Sequence, residues 1–405
     1  MNSDGARRRA ITLVYLAGLL QGFTLVSFPA SSVILKHMHG LSDAQYGAIF
    51  LPQVALAVLG ALGGGALAGR LGLGMLLWIA LAVNALSQLV LAATQGLEPA
   101  LAYWVLLSGT ALLGLGFGLI GAPMNSLPGL LFPLHRDSAL VAQHTGLGLG
   151  LAAGPLLAGV LIESGHWVLF PVMLAWACFT IAVLVALTRM PRPPETGGPA
   201  PGYVTPAHPV RSDAFWIFAF IAVVYAFAEG TFYNWAVIYL AEVKQHPQTI
   251  AATALSVFWA AMVAGRLAVS VLVLRITPAA IWGLLPVLMI AAFLLLPYAD
   301  SPERGIALFA LAGLACSAFF PLSVGLASNY FERHVSWVSS MMIAALMIGV
   351  GAGSFLVGLF KEQIGLEQLY RLSASYPTVV LGAAILLYRR GGLRRKVSAD
   401  TGPSG

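Results

Sequence analysis

Gly150-Leu-Ala-Ala-Gly154-Pro155-Leu-Leu-Ala158-Gly159 and Gly349-Val-Gly-Ala-Gly353-Ser354-Phe-Leu-Val357-Gly358 stand 199 residues apart and share one spacing of glycines. Small residues at such intervals let two helices approach closely, so a single copy would be a packing device. Two copies at matching places mean more. Pro123 corresponds to Pro321, Phe132 to Phe331 and His135 to His334 at nearly the same offset. The chain reads as one unit built twice.

Composition says what the unit is made of. Of 405 residues, 59% are hydrophobic and only 9% charged, where ordinary soluble domains carry about 25% charged residues. This is an all-α, multi-pass membrane protein. A span of about 20 apolar residues crosses the hydrocarbon core, and twelve are expected. Six lie near 11–35, 44–68, 74–94, 101–124, 138–162 and 167–188, and six near 214–241, 249–274, 279–298, 305–328, 335–360 and 369–388. The expected division is a six-helix bundle over 1–188, a Pro/Gly-rich cytoplasmic linker over 189–212, a second bundle over 213–388 and a basic cytoplasmic tail over 389–405. Seven prolines between 191 and 209 make the linker unsuited to a helix.

The net charge of +6 does not point to nucleic acid, because the bases sort by side. Lys36, Lys244, Arg304, Lys361 and Arg371 fall on one side and the other sixteen of the 21 Lys and Arg residues on the opposite one. The positive-inside rule then puts both termini in the cytoplasm. The run after Arg7-Arg8-Arg9 is too long for a signal-peptide core and reads as the uncleaved first span. Cys178 and Cys316 both lie in apolar spans, which leaves no disulfide framework and no CxxC metal site. Trp78, Trp104, Trp167, Trp216, Trp282 and Trp337 fall at span ends, as interfacial belts require. Trp176, Trp235 and Trp259 fall within spans and are expected to line an interior.

Every acid falls in a loop, tail or span end except Glu229, in the stretch Tyr225-Ala-Phe-Ala-Glu229-Gly-Thr-Phe-Tyr233-Asn234-Trp235. A carboxylate at that depth costs roughly 2.5 to 3.5 kcal/mol on insertion scales. It must be protonated, paired or facing a wet cavity, which suits a proton-coupling or substrate-gripping acid. The alternative is a neutral Glu bonded to a neighbouring helix. On a regular helix Tyr225, Glu229 and Tyr233 share one face, whereas Asn234 and Trp235 fall off it unless Gly230 loosens the helix.

On these features the sequence resembles the major facilitator superfamily over essentially its whole length. Gly150–Gly159 is similar to that family's helix-5 glycine-proline motif, with Ala158 replacing one glycine. Gly65-Ala-Leu-Ala-Gly69-Arg70-Leu-Gly72 resembles its loop 2–3 motif, with Gly69 where the family normally has Asp; the usual charge relay of that gate lacks its acid here. Two further stretches look like the fucose–proton symporter branch. One is Glu229-Gly230 with Asn234-Trp235 and Tyr239-Leu240, leading to Phe258-Trp259-x-x-Met262-x-x-Gly265-Arg266. The other is Arg136-x-Ser138-Ala139-Leu140-x-x-x-His144. The resemblance implies two six-helix pseudo-repeats, a site between them at mid-membrane, and alternating access.

Other residues complete the expected machinery. His144, beside Gln143, is placed to relay protons. Gln21, Thr24, Ser27 and Ser31 form a polar stripe; Asn125 follows Pro123, and Ser323 and Asn329 follow Pro321. Such groups either bridge helices or line a cavity. Trp235 and Trp259 offer flat apolar faces to a ring. Arg136, Arg266, Gly69, Arg70, Gly154 and Pro155 are the gating and packing candidates. Arg266 is placed about 10 Å from Glu229 at 1.5 Å rise per residue, closer to holding helix ends than to a direct ion pair.

The expected function is proton-coupled symport of a small neutral or weakly charged solute, sugar-like by preference. The chain would work as a monomer in lipid, in a plasma membrane such as a bacterial inner membrane, without a cofactor beyond the proton gradient. The rivals are a proton-driven exporter of amphipathic compounds and a non-transporting sensor. An enzyme is disfavoured: HExxH, GxSxG and P-loop motifs are absent, as is a second embedded acid.

Overall fold

The computed structural model describes residues 4–191, 209–331 and 334–389. Most of the linker (189–212) and of the basic tail (389–405) therefore lies outside the described residues. Helices dominate throughout, and in order they make twelve spans. The first is in three pieces, α1 (Asp4–Leu25), α2 (Ser27–Ala30) and α3 (Ser32–His39); the second is in two, α4 (Asp43–Ala48) and α5 (Phe50–Leu71). There follow α6 (Leu73–Ala93), α7 (Pro99–Leu131), α8 (Arg136–Glu163) and α9 (Leu169–Ala186). The second half holds α10 (Asp213–Ile238), α11 (Gln248–Leu272) and α12 (Pro278–Leu295). Its tenth span is split into α13 (Pro302–Cys316) and α14 (Phe319–Tyr330), and α15 (Val335–Ile364) is the eleventh. The twelfth comprises α16 (Leu366–Ser373) and α17 (Ser375–Arg389). Eleven of these spans are, among the described residues, long and apolar enough to cross a membrane; the interrupted first span is the twelfth.

Four of the five interruptions have a proline four residues on, Pro29, Pro52, Pro321 and Pro377. Proline lacks an N–H and its ring clashes with the carbonyl four residues back. Pro29 disables the carbonyl of Leu25, where α1 ends, and Pro321 disables that of Ser317, where the tenth span breaks. Pro123 and Pro128 lie inside the unbroken α7, so the equivalence of Pro123 and Pro321 does not extend to a break in both halves.

The repeated glycine motif accounts for the packing between and within the halves. A methyl group at Gly150 would strike the Leu19 carbonyl of α1, and one at Gly154 the side chain of Val26. The third glycine, Gly159, instead meets Ala252 of α11, in the other half. The second copy repeats this pattern. Gly349 and Gly353 abut Val223 and Phe227 of α10, while Gly358 crosses to the Asp43 carbonyl of α4. Each motif thus seats its helix on the first span of its own half and against the opposing half. Gly150→Leu or Gly349→Leu should therefore lower thermal stability in detergent by 10 °C or more or abolish folding, since overpacking a fitted site costs about 1–3 kcal/mol or more. Gly121→Ala, with open space at its Cβ position, should leave the melting temperature within about a degree or two, the level expected of a surface change.

The tryptophans divide differently from expectation. Trp176 is 71% exposed on the outer face of α9, so it does not line an interior. Trp104 and Trp216 are exposed, whereas Trp167 and Trp282 are buried against protein. Position along a span fixes depth but not the direction a side chain points.

Candidate functional site

A cavity of about 120 Å³ lies between the halves. Leu25, Phe50, Gln53, Val54, Ala57, Phe117 and Leu151 line it from the first half. Glu229, Tyr233, Asn234, Trp259, Leu346, Met347 and Val350 line it from the second. An engineered apolar cavity of about 150 Å³ takes up a benzene ring, so this space suits one small ring. Tyr233 and Trp259 pack against one another with ring centroids 5.0 Å apart.

The polar part of the lining is incompletely satisfied. Gln53 Oε1, Asn234 Oδ1 and Trp259 Nε1 are buried and have no hydrogen-bond partner in the protein. Buried polar atoms are paired in the great majority of cases, and an unpaired one costs about 1–3 kcal/mol. Here two acceptors and one donor belong to residues lining the same cavity from both halves. Glu229 is 9% exposed beside them. No base lies within 4.0 Å of its carboxyl among the described residues.

Arg266 lies within electrostatic range of both Glu229 and His144. Its Nε donates to the Ser317 carbonyl at 2.9 Å, the group that Pro321 leaves without a helical partner. The neighbouring Cys316 carbonyl, at the same break, accepts from Tyr225 Oη at 2.8 Å. The broken tenth span is held by two side chains from α10 and α11. His144 Nε2 is 3.2 Å from Asn125 Oδ1, and both residues are exposed, as is Arg266. These three residues are exposed towards the end of the molecule that carries the two chain ends.

The opposite side is closed by a ring of four charges. Lys36 of α3 contacts Asp43 at 2.6 Å and Glu242, just past α10, at 2.8 Å. Lys361 of α15 contacts the same Asp43 at 2.7 Å and the same Glu242 at 3.0 Å. All four side chains are largely buried. Two contacts of the ring cross between the halves. Nearby, Tyr46 Oη donates to the Asn234 carbonyl at 3.1 Å, a third link across the interface.

Of the residues expected to touch a solute, Tyr233, Asn234 and Trp259 line the cavity with Glu229. Asn234 does so although it falls off the face shared by Tyr225 and Glu229. The others are placed elsewhere. Tyr225 lies beside Glu229, but its hydroxyl donates to the span break and its ring stacks on Phe319. Gln21 is buried where Asn84 Nδ2 donates to its Oε1 at 2.7 Å, and Ser27 accepts from Gln88. The stripe on the first span is thus a bridge to α6, not a cavity wall. Gln143 donates to the Val14 carbonyl, Trp235 to the Ser354 carbonyl, and Ser323 accepts from Trp282, so each of the three ties helices together. Asn329 is exposed near the end of α14. Among the gating candidates, Gly69, Arg70 and Arg136 are exposed on the side of the chain ends, and Gly154 and Pro155 are buried in α8.

Gln53 and the four-charge ring were not singled out in the sequence. Gln53 is the one amide inside α5, the long apolar part of the second span, and that is a usable signal. The ring residues sit at four separate span ends, and only folding brings them together.

Two pseudo-symmetric bundles around a shared central cavity define a membrane transport protein. The family model described as Major Facilitator Superfamily matches residues 13–305, and the chain belongs to that superfamily. It is a transporter and not an enzyme. A glucose/mannose transporter of Bacillus subtilis (strain 168) is 23% identical over 179 residues, which is 44% of this chain and 44% of that protein. The alignment therefore spans less than half of that curated relative. Among solved structures, a bacterial homologue of the human lysosomal transporter Spinster, in an inward-facing and occupied conformation, is similar with a TM-score of 0.78 at 16% identity. That likeness covers 98% of this chain and all of the other. A nucleoside transporter gives a TM-score of 0.73 at 16% identity over 95% of this chain and 100% of its own.

Proposed function

We propose that the protein is a proton-coupled symporter of a small, polyhydroxylated, uncharged solute, a sugar by preference. The observation that carries this reading is the pairing of a lone buried carboxyl with unpartnered amide and indole groups in one cavity between the halves. Two acceptors and one donor match hydroxyl groups, which both give and receive hydrogen bonds. The Tyr233–Trp259 pair offers the apolar surface that a sugar ring presents its C–H face to. The partial similarity to a glucose/mannose transporter supports the same class, and the Glu229 and His144 stretches support the fucose–proton symporter branch. Glu229 would carry the proton and His144, in the wet approach, would pass it on.

In this reading the side carrying the chain ends is cytoplasmic, in keeping with the charge bias, and the bundles 1–188 and 213–388 rock about the cavity. Residues 189–212 and 389–405 serve as cytoplasmic linker and tail. The conformation described is then open inward, with the four-charge ring closing the outer side. The chain acts as a monomer in a plasma membrane such as a bacterial inner membrane. The apolar remainder of the lining, Phe50, Phe117, Leu25, Leu151, Leu346 and Met347, favours a second reading, a proton-driven exporter of amphipathic compounds.

A thermal-shift screen of the purified protein at pH 5.5 and 7.5 separates the two. A ligand at 100 times its Kd stabilises the folded state by about 2.7 kcal/mol. Glucose, mannose or fucose should raise the melting temperature by several degrees, more at pH 5.5. If only cationic or lipophilic drugs do so, the exporter reading replaces the symporter.

A further inference from the structure

We propose that Ser354, which does not touch the cavity, is the residue that sets which hydrogen-bonding group the solute must present to Asn234. This rests on the reading that the solute is polyhydroxylated, and it adds a specificity determinant outside the binding surface. Asn234 is 1% exposed and fixed on two sides. Its carbonyl accepts from Tyr46 Oη, and its Nδ2 lies 2.6 Å from Ser354 Oγ. Ser354 has one hydroxyl proton, and that proton goes to the Val350 carbonyl at 2.8 Å, one turn back in α15. Its oxygen is therefore left as an acceptor for Nδ2. That choice orients the amide, because a side-chain amide with its NH₂ on one side presents its oxygen on the other. Asn234 lines the cavity, and its Oδ1 is buried without a partner in the protein. With Ser354 in place the cavity offers an acceptor there, and the solute must donate.

The repeat shows how the position arose within the fold. Ser354 stands 199 residues after Pro155, so it occupies the place of the proline in the glycine motif of the first half. Proline at that place carries no hydroxyl and can neither donate nor accept a side-chain hydrogen bond. The other differences between the two motifs, Leu151 against Val350, Ala152 against Gly351, Leu156 against Phe355 and Ala158 against Val357, exchange one apolar or glycine residue for another. Ser354 is the one polar difference, and it bonds the site. Gly230 and Gly47 make room for it, since their Cβ positions would crowd Ser354.

The test uses purified protein in proteoliposomes, with competition by glucose and its 2-, 3-, 4- and 6-fluoro-deoxy analogues against labelled glucose. A C–F group accepts but cannot donate, so at one ring position fluorine should weaken binding to the native protein at least tenfold. Ser354→Ala frees the amide to turn, and discrimination at that position should fall below twofold, with glucose itself bound within threefold of native. Ser354→Cys keeps the volume and weakens the acceptor; it should shift discrimination in the same direction and serves where the alanine variant does not fold. Native-like discrimination in both variants overturns the inference. So does native protein that binds glucose and all four analogues equally. Failure of the native protein to bind glucose at all is a different result, which removes the sugar reading and this inference together.

Discussion

Glu229→Gln is expected to abolish accumulation of solute against its gradient while leaving solute exchange close to native. A proton falling through one pH unit supplies about 1.36 kcal/mol, so one proton per solute sustains at most about tenfold accumulation. Glutamine has the size and hydrogen-bonding reach of a protonated carboxyl but exchanges no proton. The loaded carrier should still cross, because its buried group is neutral either way. The step that fails is release of the proton to the wet side and return of the empty carrier. In proteoliposomes with an imposed one-unit pH gradient, the accumulation ratio should drop from near ten to near one. Counterflow of labelled sugar against unlabelled sugar should stay within about threefold, and its pH dependence should flatten. Undiminished accumulation in the variant would remove Glu229 from the coupling role and leave it a structural hydrogen bond.

The sequence located Glu229 because depth alone makes an acid conspicuous in an apolar span, whatever it packs against. The glycine repeat was legible for a similar reason. A residue that must be small leaves a mark independent of its neighbours, and both copies turned out to seat their helices on corresponding partners. Direction around a helix was not legible in this way. Trp176 and Trp259 each sit within an apolar span, yet one faces outward and the other lines the cavity. Gln21 was read as a possible wall residue, but its partner Asn84 is on another helix and no local pattern announces the pair. The four-charge ring shows the same limit more sharply. Lys36, Asp43, Glu242 and Lys361 are ordinary residues at span ends, spread over more than 300 positions, and only the tertiary fold makes them one group.

That ring carries the second large effect, on the balance between the two open states. Lys361 holds Asp43 of the first half and Glu242 of its own half, while Lys36 holds the same two acids. Lys361→Gln leaves two largely buried carboxylates facing each other with one ammonium between them. Truncating one partner of a buried charge pair costs about 2–5 kcal/mol, much of it from the charge left behind. Opening the outer side hydrates both acids and relieves that cost, so the penalty falls on the closed state alone. A bias of about 2 kcal/mol is roughly a 30-fold change in the ratio of outward-open to outward-closed protein. Val54→Cys provides the readout, because Val54 lines the cavity and the native thiols, Cys178 and Cys316, are both buried. A membrane-impermeant thiol reagent applied from the outer side should label Val54→Cys at least tenfold faster when Lys361→Gln is also present. Adding Asp43→Asn removes one of the stranded acids and should return the rate most of the way to that of Val54→Cys alone. That rescue distinguishes a charge latch from general loosening, since two independent destabilising changes would add rather than cancel. Labelling within twofold of the parent in Lys361→Gln would mean that the ring does not hold the outer side shut.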